Sequence, residues 1–170
     1  EVARLGVQVR KADFDDAASL VAAFKGAKRA LLISTDALDR PGRRLEQHTR
    51  AIAALAEAGV EHVVYTSLTN PHAGSPISIA PDHRLTEAAL AASKLGWTVL
   101  RNNLYSDLFL AALGGAIAGG KLVDARGDGA VGFVTRDDTA RTAAAALIGD
   151  YPNERRANLE VTGPELLTSA

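Results

Sequence analysis

Residues 29–66 decide how the chain is read: RALLIST (29–35), then PGRRLEQHTRAIAALAEAG (41–59), then VEHVVYT (60–66). RALLIST is a continuous apolar run of strand length, the pattern of a strand buried on both faces. Pro41 suits the first turn of a helix, and Leu45, Ile52, Leu55 and Ala56 recur at helical spacing until Gly59 stops it. VEHVVYT then repeats the buried-strand pattern. Strand, helix, strand in this order reads as a βαβ unit with its two strands parallel in one sheet.

The same alternation extends outward. GVQVRKA (6–12) sets Val7 and Val9 among polar neighbours and predicts a short strand. Asp15 or Asp16 can cap a helix running to Phe24, with Leu20, Val21 and Phe24 on one face. Beyond the central unit, LTNPHAGSPISIA (68–80) is a polar loop, long for a connection, and long loops in compact domains are often functional. Pro81 begins a helix to Leu95, WTVLR (97–101) is a strand, and a helix from about Tyr105 to Ile117 stops at Gly119 and Gly120. Lys121–Ala125 and Val131–Thr135 predict short strands around a Gly127-Asp128-Gly129 turn. Asp137 caps an Ala-rich helix to Ile148, and Asn158–Thr162 is a last strand. The fold expected is α/β, a doubly wound parallel sheet with helices on both faces, Rossmann-like. In such sheets ligands bind beyond the carboxyl ends of the strands. Those ends carry Asp13-Phe14, Ser34-Thr35-Asp36, Thr66-Ser67 and Asn102 to Tyr105.

Composition narrows the classes of function. A chain of 170 residues, 47% hydrophobic and 23% charged, is ordinary for one globular domain. Nineteen Lys plus Arg against twenty Asp plus Glu give no electrostatic reason to expect nucleic acid or an anionic membrane as partner. Cysteine is absent, which excludes disulfides, thiolate chemistry and Cys-based zinc sites. No apolar run approaches the roughly 20 residues that span a bilayer, so a soluble, cytoplasmic chain is expected. Methionine is also absent, even at position 1, and this suggests a segment of something longer.

Individual motifs are mostly structural. GDGAVG (127–132) matches G-x-G-x-x-G literally, but the dinucleotide fingerprint needs that string between a strand and the helix that receives the pyrophosphate. Here the Asp-Gly pair reads as a turn. His48, His62, His72 and His83 include no i,i+4 pair, so no metal site is expected. His83 stands apart because the long loop delivers it near the strand ends. Ser67 lacks the glycine-flanked elbow of a hydrolase nucleophile. Arg40, Arg43 and Arg44 read as a solvated helix surface.

VRKADFDD (9–16), LLIST (31–35), GVEHVVYTS (59–67) and LRNNLY (100–105) occur in one collinear set, followed by TRDD (135–138) and EVTGP (160–164). Together they resemble the NmrA-like atypical short-chain dehydrogenases, the branch of bacterial NAD(P)H:quinone oxidoreductases in particular. The resemblance covers nearly the whole chain. It implies that the chain begins at the family's third strand, without the first βαβ, its glycine-rich loop and the basic residue that reads the 2′-phosphate, and that it stops before the family's last substrate-side segments.

The resemblance also implies a cofactor, NADP ahead of NAD, and positions for it. Asp13 and Phe14 match the residues that contact adenine, Ser34, Thr35 and Asp36 those beside the ribose and nicotinamide side, and Thr66 and Ser67 the strand end facing the nicotinamide. Asn102, Asn103, Leu104 and Tyr105 match the segment bordering nicotinamide and substrate, although the family commonly has glycine where Asn103 stands. The Tyr and Lys four apart of ordinary short-chain dehydrogenases are not present; the corresponding stretch is His83-Arg84-Leu85-Thr86-Glu87. That leaves His83 and Tyr105 as candidate proton donors for hydride transfer to a quinone-like or other small electrophilic acceptor. Residues 1–170 then form a partial NAD(P)-binding Rossmann-like domain with substrate-side elements around 103–135. Two other readings are a non-catalytic NAD(P)-binding redox sensor and an inactive truncated fragment. A sheet lacking one βαβ has an open edge and an uncovered apolar face. The isolated chain is therefore expected to form a homo-oligomer or to be poorly soluble; a monodisperse monomer in sedimentation velocity would count against this.

Overall fold

Parallel strands need a crossover between each pair, and a helix is the usual one. In the computed structural model, which describes residues 2–123, 127–149 and 156–168, four strands form one sheet. They are β1 (Arg29–Leu32), β2 (His62–Leu68), β3 (Gly96–Asn102) and β4 (Arg156–Val161), in that spatial order and all parallel. The helices are α1 (Ala17–Phe24), α2 (Arg43–Glu57), α3 (Ala80–Ala92), α4 (Ser106–Gly119) and α5 (Arg136–Ile148).

Side chains alternate across a strand, so each face of the sheet acquires its own core. Val63 and Tyr65 of β2 and Val99 of β3 pack with Leu20 of α1, Ala51, Ile52 and Leu55 of α2, and Leu90 of α3. The intervening Val64 and Leu100 pack with Ala143 and Ala146 of α5 and Val161 of β4 on the other face. The result is a Rossmann-like, doubly wound sheet with helices on both faces. The crossovers through α2 and α3 advance over one face and share one hand. The connection from β3 to β4 advances the same way but returns through α5 on the opposite face, with the opposite hand.

Two strand expectations fail for want of a partner. Residues 6–12 join no ladder; Val7 and Val9 are exposed, and the Arg10 guanidinium instead ties the segment to the end of α1 through the carbonyls of Ala23 and Lys25 (2.9 and 2.6 Å). The hairpin expected around Gly127 is likewise not found among the described residues. Val131 bridges Leu167 and Val134 bridges Tyr105, so the segment is spent on two separate neighbours; Ala125 lies outside the described residues. Asp16 caps α1 by accepting from Ala18 and Ser19, as expected, whereas α5 is capped by Thr135 rather than Asp137.

The turn from α2 into β2 shows how the backbone fixes the sheet. Gly59 has φ +79°, its N–H reaches the Ala56 carbonyl, and Val60 N–H reaches Leu55 (3.0 Å), a Schellman ending. Nothing lies within 4 Å of a Cβ built there, so only conformational cost opposes a side chain. Gly59→Ala is expected to lower stability by about 1–2 kcal/mol. Urea unfolding should show a lower midpoint with an unchanged slope.

Candidate functional site

At the carboxyl edge of the sheet β1 and β2 part company. The ladder runs to Leu32 opposite Tyr65, after which Ser34 N–H donates to the Thr66 hydroxyl (2.9 Å) and Thr35 N–H to His48 Nε2 (3.0 Å). Side chains replace backbone partners, and a cleft of about 630 Å³ lies beside the diverging strand. Ala12, Asp13, Phe14, Ile33, Ser34, Thr35, Asp36, Asp39, Arg43 and Gln47 line it. Asp13, Phe14, Ser34, Thr35 and Asp36, named from sequence, therefore share one cavity, and Thr66 holds its edge.

The wall carrying Asp13 and Phe14 is anchored by residues that the sequence did not single out. Asp15 accepts from Arg43 (2.9 Å), Gln47 (3.1 Å) and Arg50 (3.3 Å), and Arg50 also donates to the Phe14 carbonyl (2.6 Å). The hydrogen bond from Arg43 is the main reason that the Asp15 carboxyl titrates below its ordinary value. The Asp13 carboxylate accepts from Asp15 N–H (2.8 Å) and remains exposed, while Phe14 is half-buried against the α1–α2 core. The arginine cluster is thus not simply a solvated surface: Arg43 clamps this wall, and Arg44 is only 6% exposed.

The other sequence-named residues lie outside this cavity. Ser67, pointing to the opposite face from Thr66, donates to Glu87 (2.6 Å), itself paired with Arg101 (2.7 Å). Asn102 is buried and donates to the Tyr105 hydroxyl (3.1 Å), while its own Oδ1 has no partner among the described residues. Asn103 folds onto Leu104 N–H (2.8 Å), and Leu104 is exposed. His83 and Tyr105 are not brought together. Tyr105 packs on the α5 face, whereas His83 is buried on the other face, 2.8 Å from the Tyr65 hydroxyl.

His83 belongs to a chain of polar groups. With Thr35 N–H donating to His48 Nε2, the ring proton of His48 sits on Nδ1, facing Thr86 Oγ1 (2.9 Å) and Tyr65 (3.4 Å). The Tyr65 hydroxyl in turn shares a hydrogen bond with His83 Nδ1 (2.8 Å). Burial, reinforced by neighbouring positive charge, lowers His48 to about 3 and His83 to about 4. Burial likewise raises the Tyr65 phenol. All three are neutral at pH 7. Among the described residues no group of His, Asp and Glu could hold a metal, and no helix is long and apolar enough to cross a membrane.

Residues 1–149 match the family model described as NAD(P)H-binding. Quinone oxidoreductase 2 of Escherichia coli K12 is 39% identical over 153 residues, 90% of this chain and 52% of that protein. The NmrA-like family domain-containing oxidoreductase flvB of Aspergillus flavus is 31% identical over 87% of this chain and 49% of its own length. The crystal structure of an NADPH-dependent quinone oxidoreductase from Escherichia coli complexed with NADPH superposes with a TM-score of 0.89 at 36% identity, covering 98% of this chain and 57% of that one. The chain thus spans about half the length of the curated relatives it matches.

Two measurements test the geometry. Thr66→Val keeps the shape but strands the Ser34 N–H, for an expected loss of about 1–3 kcal/mol in urea unfolding. The neutral histidines predict a pH dependence: the unfolded chain takes up protons below about 6.5, and the folded chain does so only near 4 for His83 and near 3 for His48. Their contribution is complete above 6.5 and is lost as pH falls through those values, by about 1.4 kcal/mol per pH unit per ring. His48 or His83 imidazole NMR signals that titrate near pH 6.5 in the folded protein would contradict it.

Proposed function

This chain belongs to the NAD(P)H-binding, NmrA-like family, and on that footing we propose that it serves NAD(P)H-dependent reduction of small electrophilic acceptors of the quinone type. The observation that carries the reading is the cleft beyond β1, whose lining includes Asp13, Phe14, Ser34, Thr35 and Asp36 together. Its donor set suits a dinucleotide. The exposed Asp13 carboxylate can accept from an adenine amine, Phe14 offers a ring face, and Ser34 and Asp36 offer hydrogen bonds to ribose hydroxyls. The buried Thr35 Oγ1 lacks a partner among the described residues, as a hydroxyl kept for a ligand would. NADP is proposed ahead of NAD, in line with the NADPH held by the Escherichia coli structure.

When bound, the reduced nicotinamide supplies the hydride; the acceptor needs one further proton for each hydride taken up. Thr66 holds the backbone of Ser34 at the lip between β1 and β2. On the neighbouring strand, Asn102 fixes the Tyr105 hydroxyl, and the uncommitted Asn102 Oδ1 is a hydrogen-bond acceptor for a carboxamide or an acceptor hydroxyl. Tyr105 is the proposed proton donor. His83, neutral and joined to Tyr65, would serve as a relay behind the site rather than as an acid. The described residues among 103–135 are assigned to the substrate side: Val134 N–H donates to the Leu104 carbonyl, and its own carbonyl accepts from Ser106 N–H, where α4 begins.

Titration with NADPH, followed by nicotinamide fluorescence, tests the cleft. Phe14→Ala is expected to weaken binding about tenfold, the equivalent of about 1.4 kcal/mol of lost stacking, and Asp13→Ala to weaken it in the same direction. Affinity unchanged in both variants would remove the cleft from the reading. NADPH oxidation with 1,4-benzoquinone tests the reaction, and saturable binding without turnover would point instead to a sensor.

A further inference from the structure

His48 is a fully buried polar ring on α2 that meets the cleft only through another residue. Thr35, whose N–H the ring accepts, lines the cavity; His48 itself does not.

Every bond along this line has one polarity. A backbone N–H can only donate, so His48 Nε2 must be bare to receive the Thr35 amide (3.0 Å). The ring proton is then on Nδ1, 2.9 Å from Thr86 Oγ1. The Thr86 hydroxyl gives its own proton to the Asp82 carbonyl (2.7 Å), one turn back in α3, and keeps its lone pairs for the ring. One imidazole thus ties Thr35 to the first two turns of α3. The other tautomer would set Nε2–H against the Thr35 N–H, donor against donor.

The tie bears on the shape of the cleft. β1 ends at Leu32, and Ser34 and Thr35 beyond it have left the ladder. Thr66 holds Ser34 at the lip and His48 holds Thr35 from behind, so the segment carrying Ser34, Thr35 and Asp36 has two fixed points. Without the second, the Thr35 N–H has no partner and the segment is free to turn. A ligand would then have to order it on binding, which lowers affinity.

We propose that His48 is a positioning residue of the cleft: in its Nδ1–H tautomer it holds Thr35, and with it the wall from Ser34 to Asp36, in the conformation that binds the dinucleotide, without touching the ligand. The inference rests on the reading of the cleft as the dinucleotide site.

In the wild-type protein, imidazole NMR should show His48 protonated on Nδ1 alone, and the Thr35 amide should exchange slowly with solvent. His48→Gln places a carbonyl oxygen where Nε2 lies and should keep NADPH affinity within about threefold, whereas His48→Leu should weaken it about tenfold or more. Val63→Ala, a cavity at the opposite end of β2, should lower Tm without changing the affinity of the folded protein, which separates positioning from loss of stability. If His48→Leu does not fold, Thr86→Val decides, since it keeps its shape and removes the acceptor of the Nδ1 proton: Thr35 amide exchange should quicken and NADPH binding weaken, and no change in either overturns the proposal. A ring protonated on Nε2, an affinity unchanged in His48→Leu, or one lost equally in His48→Gln also overturns it, while NADPH binding by the cleft stands. Wild-type protein that does not bind NADPH overturns the reading of the cleft, and the proposal falls with it.

Discussion

Two backbone N–H groups govern the carboxyl edge of this sheet. Were Ser34 and Thr35 to continue the ladder with β2, the strands would stay together and no crevice would open. Their donors go instead to the Thr66 hydroxyl and the His48 ring, two side chains from different elements. A donor buried without a partner is expensive, so β1 can leave β2 only where such substitutes wait. The cleft is a consequence of that exchange. It also explains why a histidine sits in the interior of α2: His48 Nε2 is the acceptor for Thr35, and its other nitrogen fixes the tautomer through Thr86 and Tyr65.

Alternation along β2 then divides the labour. Thr66 serves the cleft, whereas Ser67, one residue on, turns to α3 and joins Glu87 and Arg101 in a partly buried ion pair. Breaking such a pair on one side leaves a charge without compensation. Ser67 is thus a partner of α3 and lies outside the cleft beyond β1. Tyr105 packs on the α5 face and His83 against Tyr65 on the other, so the two are not brought together.

Much of this was legible in the sequence because parallel sheets write themselves as apolar runs. RALLIST, VEHVVYT and WTVLR fall on β1, β2 and β3, and of the helical series Leu45, Ile52, Leu55 and Ala56 the middle two are buried in α2, whereas Leu45 is half-buried and Ala56 exposed. A ligand edge was expected at the strand ends, and five of the residues named there line one cavity. The misreadings share a cause. Val7 and Val9 have strand chemistry, but a strand also needs a neighbour, which local pattern does not report. The same is true of Val131 to Thr135. Arg44 was read as solvated because the arginine group includes residues opposite the apolar stripe of α2, yet it is buried. The clamp of Arg43, Gln47 and Arg50 on Asp15 is likewise a tertiary fact, for nothing local links position 15 to α2.

The division of the core between two faces also sets an order of assembly. Every residue of the α1–α3 core lies between Leu20 and Val99, so that side can be complete once β3 has been made. The opposite core needs Ala143, Ala146 and Val161, which are synthesised later. During translation, Val64 and Leu100 therefore present an apolar surface with no helix to cover it, and β3 is an open edge. Only when α5 and β4 are in place are both exposures closed.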